Sequence, residues 1–311
     1  MLLNIAKLRY SDTPVFVDVP SVINQYAIQG RINLDAGWEN GASSIKSQNL
    51  GVEGLYAERP TITYTPLTGD KFTRSLLTPI PPASLLFLIQ SGWPGKPLFE
   101  ICVKSVNEID NRSSAPGFAR CPDPRFQKLV EAMERIQRSG AVGARIVKQD
   151  DLETAIIVFR QNVDSEIECD ISQIRELLNT KPDATEMAVT YGTTPTTDGE
   201  IALLTRSIMD IIVEMSSQID VPNEHAAEGR THATSLEIGS GKDQVPPFSA
   251  IYSDKQKPDD AFPAIRYRDY WFWIDDCDRS SKGHFTFLMI LFSLAETGGV
   301  SQTPLITVPV N

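Results

Sequence analysis

The sequence predicts an α+β fold: a mixed sheet with packed helices and a long amphipathic N-terminal β-hairpin. Three observations carry that reading. Residues 25–38, QYAIQGRINLDAGW, alternate between apolar and polar almost without error, which is the period of a strand with two unlike faces. Phe126, Leu129, Val130, Met133 and Ile136 recur at helical spacing instead. Strand-like and helix-like segments are mixed along the chain with no solenoid-type repeat.

Taken in order, TPVFVDV at 13–19 reads as a strand and is followed by the long alternating strand at about 22–38. A polar, glycine-containing connection at 39–49 leads into a second extended stretch, LGVEGLYAERPTITY, so the two strands form a hairpin over 22–58. Pro60 and Pro66 confine TITYT to a sheet edge or entry. Residues 1–68 are thus an N-terminal strand module, and 69–311 a mixed globular body.

Within the body, GDKFTRSLL and PPASLLFLIQSG read as short helices, the second closed by Gly92, and PLFEICVKSV reads as a strand. Asp123 and Pro124 open a helix that Gly140 ends. ARIVKQ and TAIIVFR read as paired strands, and EMAVTY as another. Asp170 with Gln173, and Thr197 with Glu200, match capping boxes opening helices at about 171–179 and 198–218. Residues 220–262 form a polar excursion. RYRDYWFWID reads as a core strand buried on both faces, 280–296 as a buried helix capped by Gly298, and PLITVPV as a last strand.

On the alternating strand, Tyr26, Ile28, Ile32, Leu34 and Trp38 fall on one face, joined from the return strand by Leu50, Val52 and Tyr56. Gln29, Arg31, Asn33 and Asp35 fall on the other, where Arg31 and Asp35 are close enough to pair, joined from the return strand by Glu53; Leu55 is a misfit there. From Tyr26 to Trp38 the strand spans about 40 Å at ~3.3 Å per residue. Tilted by ~40°, it matches the ~25 Å apolar band and aromatic girdles of an outer-membrane barrel strand. One hairpin cannot close a barrel, so a membrane role requires several copies, each giving two strands.

The chain has a net charge of −11 and a sequence pI near 4.8, which exclude a nucleic-acid partner needing a basic footprint. At 41% hydrophobic residues it has material for a core. The longest apolar run, FTFLMILFSLA, is about half the ~20 residues of a spanning helix, and the opening residues have too short an apolar core for a signal peptide. Taken alone, that places the chain in the cytoplasm or makes it a mature segment. Cys102, Cys121, Cys169 and Cys277 form no CxxC; four buried free thiols are expected, with two disulfides as the alternative.

Chemical signals are sparse, and no cofactor is implied. Asp275, Asp276 and Asp278 lie between a strand and a helix, as candidate ligands of Mg²⁺ or Ca²⁺, but helix capping explains them equally simply and is the favoured reading. His225, His232 and His284 have no zinc spacing, and the first two are expected to be solvated. IGSGKD at 238–243 lacks the first glycine of a phosphate loop. Trp271 and Trp273 share a face, where core packing is favoured over ligand stacking.

Four stretches, LLNIAKLRYSDTPVFVDV, ERPTITYTPLTGDKFTRSLLTPIPP, LIQSGWP and YWFWIDDCDRSSKGHFTFLMILFSLAETG, carry a resemblance. Together they resemble a family of uncharacterised Gram-negative bacterial proteins predicted to be exported, many classed as lipoproteins. The resemblance implies no activity and no catalytic residues. It implies a cell-envelope location, periplasmic or outer-membrane associated, with Met1 standing where a leader and further residues precede LLNIxxLRY in relatives. No lipid-modified cysteine stands in this sequence, so anchoring is implied by the resemblance alone.

The first functional expectation is therefore a non-enzymatic envelope protein acting through self-assembly, its hairpin used for oligomerisation or outer-membrane insertion. Its partners are then further copies of the chain, the outer membrane or other envelope proteins. A periplasmic binding or scaffold module, with the hairpin packed on its own core, is the alternative. A metal-assisted hydrolase ranks third.

Overall fold

The computed structural model describes residues 1–36, 48–113, 120–149, 152–232 and 249–296. They belong to two compact units: Met1–Pro14 with Thr68–Asn311, and Val15–Leu67. The first fourteen residues therefore go with the body, although the sequence groups them with the strand module. Their helix, α1 (Leu2–Arg9), packs on a later helix through buried Leu2, Ile5 and Ala6.

The second unit is a two-stranded antiparallel sheet of β1 (Val17–Ala36) and β2 (Gln48–Pro66). Where the sequence separates 13–19 from the alternating strand, the structure runs one strand with a register shift between Asp18 and Ser21.

The body resumes with α2 (Gly69–Phe72), a π-helical turn at Thr73–Leu77, and α3 (Pro82–Gln90). The next segment corrects the sequence reading: PLFEIC is not a strand but most of α4 (Gly95–Cys102), and only Val103–Val106 forms β3. Leu98, Phe99, Ile101 and Cys102 make one buried helical face, a pattern that over four residues differs little from strand alternation. A turn through Asn107 and Glu108 leads to β4 (Ile109–Asp110).

Helix α5 (Pro124–Ser139) forms as its local signals dictate. The Asp123 side chain accepts from the Arg125 N–H, and Gly140 takes a left-handed φ of 71° at the C-cap. β5 (Val142–Gln149) and β6 (Leu152–Phe159) pair antiparallel. Helix α6 (Ser165–Leu177) starts earlier than Asp170 suggests. Asp170 lies inside the helix, buried, where it accepts two hydrogen bonds from Arg135 of α5 at 2.8 and 2.6 Å.

After β7 (Glu186–Tyr191) the structure overturns a second expectation. Residues 200–205 are a strand, β8 (Glu200–Thr205), and the helix α7 (Ile208–Ser217) begins eight positions later. Glu200 does accept from the Thr196 and Thr197 N–H groups, but it closes a turn. The capping box that opens the helix is Ser207 with Asp210.

These strands form a six-stranded mixed sheet in the order β4-β3-β8-β7-β6-β5, with β7 and β8 parallel and every other pair antiparallel. One face is buried: Ile157, Phe159, Val189, Ile201 and Leu203 converge with Leu86, Phe99, Leu129 and Ile174 from α3, α4, α5 and α6. On the other face Ile156, Val158, Ala188 and Thr190 are half-buried, whereas Ala202 of β8 and Ser105 of β3 are buried.

The excursion contains the short α8 (Asn223–Ala227) and β9 (Tyr252–Asp254). RYRDYWFWID is not one strand but a hairpin, β10 (Ala261–Tyr267) and β11 (Tyr270–Asp275). Its two-residue turn holds Arg268 and Asp269 at φ 48° and 65°, matching the right-handed twist of the strands. β11 is central in the sheet β10-β11-β9, but it is buried on one face only. Tyr270, Phe272 and Ile274 are buried, whereas Trp271 and Trp273 are half-buried. α9 (Arg279–Glu296) completes the body and buries Phe285, Phe287, Leu288 and Leu291. Gly298 and PLITVPV lie outside the described residues. No helix among the described residues is long and apolar enough to cross a membrane.

Candidate functional site

The hairpin is the first place to look, because the sequence puts most of its candidates there. Its register sets Ile28 opposite Tyr56, Ile32 opposite Val52 and Leu34 opposite Leu50. Between these, Arg31 lies opposite Glu53, Asn33 opposite Gly51, Asp35 opposite Asn49 and Gln29 opposite Leu55. Apolar positions are thus matched with apolar ones across the strands, and oppositely charged residues with each other. Tyr26 opposite Glu58 and Leu55 opposite Gln29 depart from the pattern. Trp38 and the connecting residues 37–47 lie outside the described residues. Among those described, no third strand joins either edge of β1–β2.

Just before β1, the chain is held in the body by a cluster that no local motif announces. The Tyr10 hydroxyl is 2.7 Å from His225 Nδ1, in a buried contact. Around Tyr10, His225, Tyr267 and Phe272 stand edge-on at ring separations of 5.5, 5.8 and 6.2 Å, and the Arg268 guanidinium lies 4.9 Å from its ring centre. Asp12 accepts from the Tyr267 hydroxyl and from Arg268 Nη2, the latter at 2.7 Å. Tyr270 donates to Glu224 at 2.8 Å, and Lys255 pairs with the same carboxylate at 2.9 Å.

The electrostatics of this cluster favour fastening over proton transfer. Burial pushes the Tyr10 hydroxyl up to about 12, so it stays protonated. Hydrogen bonds from Tyr267 and Arg268 hold the Asp12 carboxyl below its usual range. Burial, with Arg230 and Arg268 adding to it, lowers His225. Catalytic acid and base pairs have pKa values brought toward the working pH, and here Tyr10 is moved away from it.

His225 was expected in solvent and is 4% exposed, which corrects the sequence reading; the excursion's polar composition hides one inward-facing side chain. The pH consequence has a definite sign. Below its ordinary 6.5 the unfolded chain protonates His225 while the folded one resists, so the stabilisation is complete above 6.5 and declines as pH falls toward the lowered folded value. Acidification from about pH 7.5 to about 5.5 should therefore lower Tm, and His225→Gln should show a shallower Tm–pH slope across that window. Parallel slopes would count against the assignment.

The three aspartates each make a local bond. Asp275 accepts from the Cys277 N–H at 2.7 Å, and Asp276 accepts from Lys282 Nζ at 2.5 Å. Asp278 accepts from the Ser280 and Ser281 N–H groups at 3.1 Å each and from the Ser281 hydroxyl at 2.6 Å, fastening the first turn of α9. Among the described residues, no group of three or more His, Cys, Asp or Glu is placed to hold a metal ion. His284 is buried on α9, and residues 238–243 lie outside the described residues.

All four cysteines are free. Only Cys102 is buried, which corrects the expectation of four buried thiols; Cys121, Cys169 and Cys277 are exposed. Burial pushes the Cys102 thiol up to about 12, away from reactivity. Comparison with protein-family models, curated proteins and solved structures gives no match.

Proposed function

We propose that the chain is a non-enzymatic cell-envelope protein that acts through self-assembly, with the β1–β2 hairpin as its contact with further copies or with the outer membrane. One observation supports this above the rest: strands of 20 and 19 residues that pair only with each other among the described residues. An isolated two-stranded ribbon is marginal in water, and each edge presents unpaired backbone groups that another strand satisfies. Apolar residues opposite apolar ones, in the order Ile28/Tyr56, Ile32/Val52, Leu34/Leu50, give such a partner a surface to bury. The envelope location rests on the sequence resemblance and on the match of strand length to an outer-membrane barrel. The aspartates offered to a metal-assisted hydrolase are instead engaged around the start of α9.

The test is the mass of the purified chain in solution, with and without detergent, by sedimentation velocity. The expected result is an oligomer that Ile32→Arg dissociates and that deletion of residues 26–56 abolishes, with the body's melting curve unchanged. Near a bilayer midplane the introduced arginine would cost roughly 2–4 kcal/mol, enough to prevent insertion. A monomer under both conditions, or a deletion that unfolds the body, would overturn the proposal.

A further inference from the structure

We propose that a cleft between α4 and α9 binds a small carboxylate built on a flat ring. The cleft has a volume of about 360 Å³, within the range of small-molecule sites. Successive turns of α9 supply one wall, with Arg279, Gly283, His284 and Phe287; α4 supplies the other, with Lys96 and Glu100, and Trp93 stands at its entrance to that helix.

Three features define the occupant. Lys96 and Arg279 face the same space from opposite walls, and neither has a carboxylate within ion-pair distance among the described residues. Asp278, the acid next to Arg279, is occupied by the N–H groups and hydroxyl of the following serines. Lys96 offsets part of the burial that raises the Glu100 carboxyl one turn along α4, and Arg279 is exposed, so the cleft holds two cations to one acid in a chain of net charge −11. That net charge repels anions at long range, so recognition depends on short contacts that only a docked carboxylate makes.

The second feature is aromatic. The Trp93 ring lines the cleft half-buried and rests on the buried Phe287, ring centres 5.4 Å apart and tilted by 49°, so its open face can take a planar ring rather than a compact ion. Glu100 adds an acceptor on the same wall for a ring hydroxyl or amine.

The third feature is a missing side chain. Gly283 lies in the interior of α9, where glycine costs the helix about 1 kcal/mol relative to alanine. Gly283 lines the cleft, and a Cβ built there meets nothing within 4 Å. A larger residue at 283 fills the ligand's place without disturbing the fold.

4-Hydroxybenzoate is the probe, titrated into the full chain by calorimetry and followed by tryptophan fluorescence. Saturable binding is expected, at least about tenfold weaker for neutral 4-hydroxybenzyl alcohol, which loses the charge-assisted bonds. Gly283→Leu should abolish binding with Tm unchanged or raised. The double variant Lys96→Met/Arg279→Met, at sites outside the core, should weaken it by the same tenfold or more and keeps the test open if Gly283→Leu folds poorly. No saturation by about 10 mM, a Kd beyond useful affinity, would overturn the proposal. So would undiminished binding in a folded Gly283→Leu or in the double variant, or displacement of the probe by equimolar inorganic phosphate.

Discussion

Replacing Arg206 with methionine should destabilise the body by about 3–6 kcal/mol, a large part of the ~5–15 kcal/mol that holds a typical domain folded. Arg206 is 3% exposed and lies between β8 and α7. Its guanidinium donates to the carbonyl oxygens of Glu100 at 2.9 Å, Ile101 at 2.8 Å and Arg112 at 2.5 Å, and its own N–H donates to the Cys102 carbonyl at 2.7 Å. The end of α4 and the strand leaving β4 are thereby tied to the centre of the sheet. Methionine keeps the volume but strands three acceptors at about 1–3 kcal/mol each, partly recovered by water. It also removes one of the cations, with Arg112, that face the buried Glu214. Urea unfolding measures the loss. Arg206→Lys should recover only part of it, because one ammonium cannot span three carbonyls in a planar fork. A loss under about 1 kcal/mol for the methionine variant would show that these carbonyls find other donors.

Phe272→Ala should cost about 3–5 kcal/mol, the range for emptying a close-packed aromatic site. Phe272 is fully buried in the middle of β11 and stands edge-on to Tyr10. Its removal therefore acts twice, opening a cavity in the small sheet and withdrawing one wall from the cluster that holds α1. Hydrogen exchange is expected to report both: lower global protection by urea-calibrated stability, and α1 amides that exchange earlier than those of α5. Equal loss in the two helices would place α1 in the same cooperative unit as the large sheet.

The parts of this fold that were legible are those whose signals are local. Asp123, Pro124 and Gly140 mark α5 with chemistry confined to the helix's own ends, and tertiary context does not compete with it. The alternation of ARIVKQ and TAIIVFR similarly survives as β5 and β6. Thr197 and Glu200 misled because a carboxylate reaching back to two N–H groups closes a turn as readily as it opens a helix. What followed, the buried run Ile201, Ala202 and Leu203, belongs to a strand with sheet neighbours on both sides, where helical and extended patterns look alike. The candidate sites divide in the same way. That Arg31 and Glu53 share the polar side follows from a short-range period, but their register, the meeting of Trp93 with Phe287 and that of Tyr10 with His225 span distances in sequence that no pattern fixes.

That last separation has a consequence for how the protein is made. Tyr10 is bonded to a residue 215 positions later, and Asp12 to one 256 positions later. At ~5–20 residues per second, a ribosome needs about 13–50 s to deliver Arg268 after Asp12 has emerged. For most of that interval, until α7 is made, Leu2, Ile5 and Ala6 lack the helix that will bury them, and the hairpin strands that come next are already outside the tunnel. The nascent chain thus presents its first helix and a two-stranded ribbon with unpaired edges together, long before the body is complete. A chaperone that engages early in translation would meet both at once, and under the self-assembly proposed above the order of release would decide whether copies find each other before or after each has closed its own fold.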